Sequence, residues 1–470
     1  MENSQICQFY NNQKVFITGA TGFMGTVLAE KLLRSTNVAK IYLLIRSKKG
    51  KDANTRMDIM LDNVLFTKLR KENPNFKNRI IAVAGDCTLS DLGLSVGDRE
   101  QLIVDVNIVF HAAASVYFHE NIKQAYINNV QGTANLLTFC KQMRHLKSFV
   151  HLSTAFSNSP LDKVDEVFYD YSINYQQIEE MILKETSPKE VDRLTERYNI
   201  DFHVKTMTPQ IRFPVTSTYK EPIEYWTNSL GGPASVIASA SLGLIRVFPC
   251  ENSQIFAELV PVDMAVAALI ATAWDINNRY EISRNEIPIY NYISSNDNSV
   301  TWYEFAELNK LQFLNYPLKN AMWVPKFRIM SNSMEYKLLF LIFHYFPAVV
   351  ADFFRMINFK KPYLVPIYRK INNSNNAFWF FTSKNWKFSN DNIKEMWNEL
   401  SEVDKELFPF DISAVNWLKY LRNYHKGLRL YVHKDPLDSL HKAKIRATRF
   451  EILHKVMVYA IYFIGIKNIL

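Results

Sequence analysis

Paired cysteines, an N-terminal apolar leader, internal repeats and long apolar runs are all missing from this 470-residue sequence. Its four cysteines, Cys7, Cys87, Cys140 and Cys250, are scattered. That spacing excludes a zinc cluster and a disulfide scaffold, so no metal is expected and a reducing compartment fits. The start, Met1-Glu-Asn-Ser-Gln, is polar, which argues against a secretory signal and leaves the front of the chain in the cytosol. No long Lys/Arg run is interleaved with aromatics, so nucleic acid is not an expected partner. The two longest apolar stretches, 338–350 (broken by His344 and Pro347) and 456–466, each fall short of the ~20 residues that cross a bilayer. Both can be buried core helices. The second is flanked by Lys455 and Lys467 and preceded by Lys442, Lys444, Arg446 and Arg449, a pattern that equally suits a basic-rimmed membrane anchor.

What is present points to a large two-domain protein. Hydrophobic residues make up 48% of the chain, enough for a sizeable core, and the net charge is +9. In a chain rich in Phe and Tyr, that basic balance suits an anionic membrane surface or a phosphate-bearing substrate. Apolar runs at 15–18, 41–45, 80–84, 108–110 and 148–152 alternate with helical patterns. This predicts an α/β fold with a doubly wound parallel sheet covered by helices on both faces. Residues 177–184 and 188–197 read as helices, and 219–233 as a turn-rich loop. From about Leu338 the chain becomes aromatic-rich, with Lys360-Lys-Pro and residues 372–376 as separators. The predicted organisation is a front dinucleotide-binding domain with the substrate region (1–330), a smaller, mostly helical rear domain (331–450) and a hydrophobic tail (451–470).

The strongest chemical signal is Thr18-Gly-Ala-Thr-Gly-Phe-Met-Gly25, which leaves a strand and opens a helix. Gly19 permits the tight turn, Gly22 lets backbone N–H groups approach a pyrophosphate, and Gly25 allows close helix–strand packing. Gly19, Thr21, Gly22, Phe23, Met24 and Gly25 are therefore candidate cofactor residues of a Rossmann domain. The next strand ends at Arg46 with Lys48 nearby, where an NAD site usually carries an acid, so a 2′-phosphate and hence NADPH are favoured. Asp86, after the third strand, is placed to meet an adenine amino group. His111-Ala112 and the alanines that follow the fourth strand let the chain run beside the cofactor.

These residues carry a resemblance. Val15-Phe-Ile-Thr-Gly-Ala-Thr-Gly-Phe-Met-Gly, Phe110-His-Ala-Ala-Ala, Asn129-Val-Gln-Gly-Thr and His151-Leu-Ser-Thr-Ala-Phe-Ser-Asn resemble the fatty acyl-CoA reductases. So do Ser217-Thr-Tyr-Lys-Glu-Pro, Val260-Pro-Val-Asp, Tyr290-Asn-Tyr, Trp379-Phe-Phe-Thr-Ser-Lys-Asn-Trp, Phe408-Pro-Phe-Asp and Gly427-Leu-Arg-Leu-Tyr. The resemblance implies an extended short-chain dehydrogenase fold with a rear domain of the male-sterility type. It also implies NADPH-dependent reduction of long-chain acyl-CoA to fatty alcohol, with membrane lipid as a further partner. The location it implies is an endoplasmic reticulum or peroxisomal membrane, with the catalytic domain facing the cytosol. Oligomeric state is left open.

Two hydride transfers are needed, the first releasing coenzyme A, and each requires a proton donor beside the carbonyl oxygen. In the family resembled, a Tyr donates the proton, a Lys four residues on lowers its pKa, and a Ser or Thr hydroxyl polarises the carbonyl. Thr154 matches that hydroxyl, with its neighbour Ser153 as a second candidate. The pair is different: only Tyr10 and Lys14 have the spacing, and they precede the first strand. In the expected interval Tyr198 is followed at the fourth position by Phe202, and Lys205 lies too far along. The chain from Tyr198 to Thr218 looks shortened, with His203-Val-Lys-Thr and Arg212-Phe-Pro as remnants of a helix and strand. Three readings stand: an incomplete gene model, a splice form, or a chain that has lost catalysis.

Overall fold

The computed structural model describes residues 3–116, 120–169, 179–180, 210–212, 214–282 and 287–467. Five apolar runs become strands almost residue for residue: β1 (Lys14–Thr18), β2 (Lys40–Ile45), β3 (Ile80–Ala84), β4 (Ile108–His111) and β5 (Ser148–Ser153). Two three-residue strands, β6 (Gln210–Arg212) and β7 (Ile289–Asn291), complete a seven-stranded sheet. All its pairings are parallel, in the order β7-β6-β5-β4-β1-β2-β3. Val15, Phe16, Ile17 and Thr18 of β1 are all buried, as a strand covered on both faces requires. From β1 the chain builds outward in one direction to β3, then returns to β4 on the other side of β1. The crevice at the carboxyl ends of β1 and β4 is thus the switch point where open α/β sheets bind ligands.

The remnant around Arg212 retains a real strand. Its three residues pair with β5 from His151↔Gln210 to Ser153↔Arg212 and with β7 from Ile289↔Gln210 to Asn291↔Arg212, so the sheet stays continuous. The predicted helix at 188–197 and Tyr198, Phe202, His203 and Lys205 lie outside the described residues, as does 177–184 except for Glu179 and Glu180, which are helical.

The chain forms two compact units. The first comprises Met1–Ile223, Leu259–Asn296 and Trp386–Ser413; the second comprises Glu224–Glu258, Asp297–Asn385 and Ala414–Leu470. Several motifs of the resemblance tie the first unit together. The Asp263 carboxylate, at the start of helix Val262–Ile282, accepts N–H bonds from Tyr219, Lys220 and Glu221 (2.8, 2.8 and 3.0 Å). Glu221 in turn pairs with Lys31 and Arg34 of helix Phe23–Ser35, and Lys31 donates to the Leu407 carbonyl (2.7 Å). The Tyr292 hydroxyl donates to the Phe410 carbonyl (2.6 Å).

The second unit is mostly helical. Residues 372–376, read as a separator, instead continue helix Leu364–Phe381, where buried Asn375 donates to the Tyr336 hydroxyl (3.0 Å). The stretch 338–350 is likewise part of a longer element. Ser333–Ile357 is one 25-residue helix, long and apolar enough by length and composition to cross a membrane. A π-helical segment, Leu341–Tyr345, carries His344, and Pro347 sits in the first turn of the segment that follows, so neither ends the helix. The tail belongs to helix Leu440–Lys467, whose Phe450 and His454 pack on Trp323.

Candidate functional site

Gly19 has φ of +70°, and a Cβ there would lie 2.5 Å from the Ala112 carbonyl oxygen. Only glycine allows both the turn and this close approach of β1's exit to the chain leaving β4. At Gly25 a Cβ would lie 2.4 Å from the Gly19 oxygen, so the helix's first turn sits directly against the loop. Gly22 precedes helix Phe23–Ser35 and has no side chain to cap it. The Gly22 N–H closes the turn on the Gly19 carbonyl (2.9 Å), and the first N–H groups of the helix, at Phe23 and Met24 next to Thr21, form an N-terminus at the switch point suited to a pyrophosphate. The cradle that side chains would fill is the feature a dinucleotide needs.

Arg46 follows β2 with its side chain 53% exposed, and its guanidinium is 3.7 Å from the Asp86 carboxylate. Asp86 also accepts from the Thr88 N–H and hydroxyl (3.0 Å each). The carboxyl ends of β2 and β3 are therefore bordered by a largely exposed cation and a carboxylate held in its turn. Arg56 is a residue that sequence reasoning missed. From helix Ala53–Leu61 it donates to Thr21 Oγ1 (2.8 Å) and to the Arg46 carbonyl, joining the glycine turn to the end of β2. Nothing in its local sequence marks this role, which arises from the return of that helix to the sheet.

His111 is placed differently from the exposed candidates. Its ring is buried, with Nδ1 2.7 Å from Thr18 Oγ1 and Nε2 2.9 Å from Thr133 Oγ1, so its side chain braces β1 against helix Gly132–Cys140. Burial, together with nearby His151, holds it well below the usual imidazole pKa. Ala112 is the residue this arrangement brings against Gly19. The following loop is fixed by Asn129, which accepts from the Ser115 N–H (2.7 Å) and donates to its carbonyl (3.0 Å).

Ser153 ends β5, and Thr154 begins the turn Ala155–Asn158, its Oγ1 accepting the Phe156 N–H (3.3 Å). Phe156 packs edge-on against Trp386 at 5.1 Å, and Trp386 Nε1 donates to the Ser159 carbonyl (3.0 Å). A rear-signature tryptophan thus fixes the turn that carries the candidate hydroxyl. Tyr10 is buried and donates its hydroxyl to the Ile270 carbonyl (2.9 Å), so the accidental Tyr10–Lys14 spacing supplies no proton donor.

Comparison with known proteins agrees with this architecture. Residues 17–269 and 343–435 match two male sterility protein families. The chain is 35% identical to Fatty acyl-CoA reductase wat of Drosophila melanogaster, covering 98% of this chain and 92% of that protein. It is 31% identical to Fatty acyl-CoA reductase 1 of Homo sapiens, over 95% and 90% of the two chains. Among solved structures, the reductase domain of a nonribosomal peptide synthetase from Mycobacterium tuberculosis shares the fold, with a TM-score of 0.57, 18% identity and coverage of 92% and 96%. A likeness that covers 98% of the chain, from the glycine turn of the front unit to the rear signatures, leaves one assignment: the chain belongs to the fatty acyl-CoA reductase family.

Proposed function

We propose that this chain reduces long-chain fatty acyl-CoA to fatty alcohol with NADPH, at a membrane surface. The observation that carries the reading is the full-length likeness at 35% identity to a fatty acyl-CoA reductase, joined to a glycine cradle at the switch point. A nicotinamide cofactor fits the cradle, and NADPH supplies, when bound, the hydride for each of two successive reductions. Gly19, Thr21, Gly22, Phe23, Met24 and Gly25 receive the pyrophosphate, Arg46 binds the 2′-phosphate, Asp86 borders the adenine, and His111 and Ala112 shape the wall beside it. The Thr154 hydroxyl, with Ser153 beside it, polarises the substrate carbonyl. The first reduction gives a hemithioacetal that expels coenzyme A as the thiol; the second converts the aldehyde to the alcohol, and each consumes one proton. The tail, 451–470, contributes to membrane attachment at the endoplasmic reticulum or peroxisome. The full-length likeness does not favour the other reading, a cofactor-binding relative without turnover.

Incubating the purified chain with palmitoyl-CoA and NADPH and assaying extracted lipid for hexadecanol tests the proposal. Hexadecanol formed with release of free coenzyme A is the expected result. NADPH binding without either product would instead establish the non-catalytic reading.

A further inference from the structure

Helix Ser333–Ile357 has two opposite faces. Tyr336, Phe340, His344, Ala348 and Asp352 recur every four residues and are buried, most of them in a cluster with Val247, Met330 and Tyr368. Leu338, Ile342, Phe346, Val349, Phe353 and Ile357, three or four residues apart, form the opposite stripe, and all are exposed. Beyond the helix, Phe359 has φ of +56° and is completely exposed (101%). A non-glycine residue in that backbone region is uncommon, and here it holds a bare aromatic ring at the tip of the turn. A contiguous apolar face of this kind marks an interaction surface.

Charge identifies the occupant. Between Tyr336 and Asn390 the sole carboxylate is Asp352, which is buried, with its oxygens accepting the N–H groups of Tyr363, Leu364 and Val365. Exposed Lys337, Lys360, Lys361, Arg369 and Lys370 are interspersed along the same stretch without an exposed acid to neutralise them. An apolar stripe with cationic flanks, whose one exposed acid is Glu335 in the first turn of the helix, complements the acyl boundary and headgroups of an anionic lipid leaflet. A span leaving the folded unit would give up its packed face, whereas this helix keeps Tyr336, Phe340, His344, Ala348 and Asp352 buried along its length and offers only the opposite face to lipid. We infer that Ser333–Ile357 lies in the plane of a membrane, inserting its Leu338–Ile357 stripe and Phe359 into one leaflet. The inference rests on the membrane reading above and assigns the larger share of the contact to this helix, the tail adding the smaller.

The test uses the full chain and phosphatidylcholine vesicles with and without phosphatidylserine, read by cosedimentation. The unmodified protein should bind the anionic vesicles and release as salt is raised. Combined Phe346→Ser, Phe353→Ser and Phe359→Ser should lower binding about ten-fold or more, while deletion of 451–470 costs less. All three phenylalanines are exposed, and an unchanged melting temperature would confirm that the fold survives. The four native cysteines are buried, so Leu338→Cys or Ile357→Cys can each carry a single fluorophore. Both labels should be quenched to the same extent by a shallow quencher added outside. Quenching at one end only would mean that the helix spans, which overturns the inference. Full binding by the triple variant, abolished by the tail deletion, would overturn it and leave the membrane reading intact. Failure of the unmodified chain to bind either vesicle would remove the membrane reading itself. A dimer that the triple variant dissolves, without vesicle binding, would make the face a contact between copies.

Discussion

Arg46 stands at the end of β2 with its guanidinium largely in solvent and a single loose ion-pair partner, while Arg56 is committed to Thr21 and to the Arg46 carbonyl. The two arginines should therefore behave differently on substitution. Arg46→Ala is expected to remove a charge-assisted contact worth roughly 1.5–3 kcal/mol, weakening NADPH about 10- to 150-fold and leaving NADH nearly unchanged. Arg56→Ala should loosen the glycine turn and weaken both cofactors alike. Titrating each variant with NADPH and NADH by fluorescence checks this, and equal affinities in the unmodified protein would refute the role of Arg46. The proton donor is the second matter at this scale. With Tyr10 locked to Ile270 and no other Tyr-x-x-x-Lys in the sequence, turnover by this chain is expected to be slow. A variant with a helix bearing that pair, inserted between Tyr198 and His203 ahead of β6, should be faster by ~10²–10⁴ in kcat. Comparable rates would mean that another group protonates the carbonyl oxygen. The positions of Arg46 and Thr154 were legible in the sequence because each directly follows a strand that reads as an apolar run. Arg56 was not, because its partners come from other elements.

Elements were legible where the local pattern alone decides them. A strand buried on both faces reads as a nearly unbroken apolar run, and β1, β2 and β4 do. β6 was the harder case: three residues carry too little pattern to read, and it exists because β5 and β7 offer their edges to it. The helix through Asn372–Asn376 was hidden for the opposite reason. Asparagine favours turns locally, but here Asn375 is buried against Tyr336, and tertiary contact overrides propensity. Asp263 is the element-scale residue that can be tested. Its carboxylate gathers three N–H groups of one loop onto the start of helix Val262–Ile282, and burial raises its pKa above the usual carboxylate value despite them. Asp263→Ala would leave those donors without their acceptor, at about 1–3 kcal/mol for each that water cannot reach. The expected outcome is a clearly lower melting temperature and weaker NADPH binding, since the same loop carries Glu221 onto the cofactor-binding helix through Lys31 and Arg34. A melting temperature within a degree or so of the unmodified protein would show that the loop is held by other contacts.

For the molecule as a whole, the buried ionisable groups set a pH dependence. Six of the eight described histidines, His111, His151, His344, His425, His433 and His454, have pKa values lowered chiefly by burial; His151, His344 and His425 fall to about 4. Each takes up its proton near pH 6.5 when unfolded but at lower pH when folded. Between those values the unfolded chain binds more protons, and stability falls with pH by up to about 1.4 kcal/mol per group per pH unit. Four carboxyls, Glu30, Glu166, Asp263 and Glu399, act in the opposite direction, burial raising them; Glu166 is pushed up to about 7 even though it accepts the N–H groups of Asn291 and Asn392. Their contribution is full below the unfolded carboxyl pKa and is lost as pH rises through the folded value, so it partly offsets the histidines below pH 7. The imidazoles outnumber them, and the melting temperature is expected to fall between pH 7 and pH 5, before the salt-bridged carboxylates begin to protonate. Glu166→Gln removes one opposing group and should steepen that fall, whereas His425→Gln should flatten it. A melting temperature that is level from pH 7 to pH 5, in both variants as well as the unmodified chain, would mean that these groups are hydrated well enough to titrate normally. In that case the close packing around His425 and Glu166 would not be what holds the two units folded.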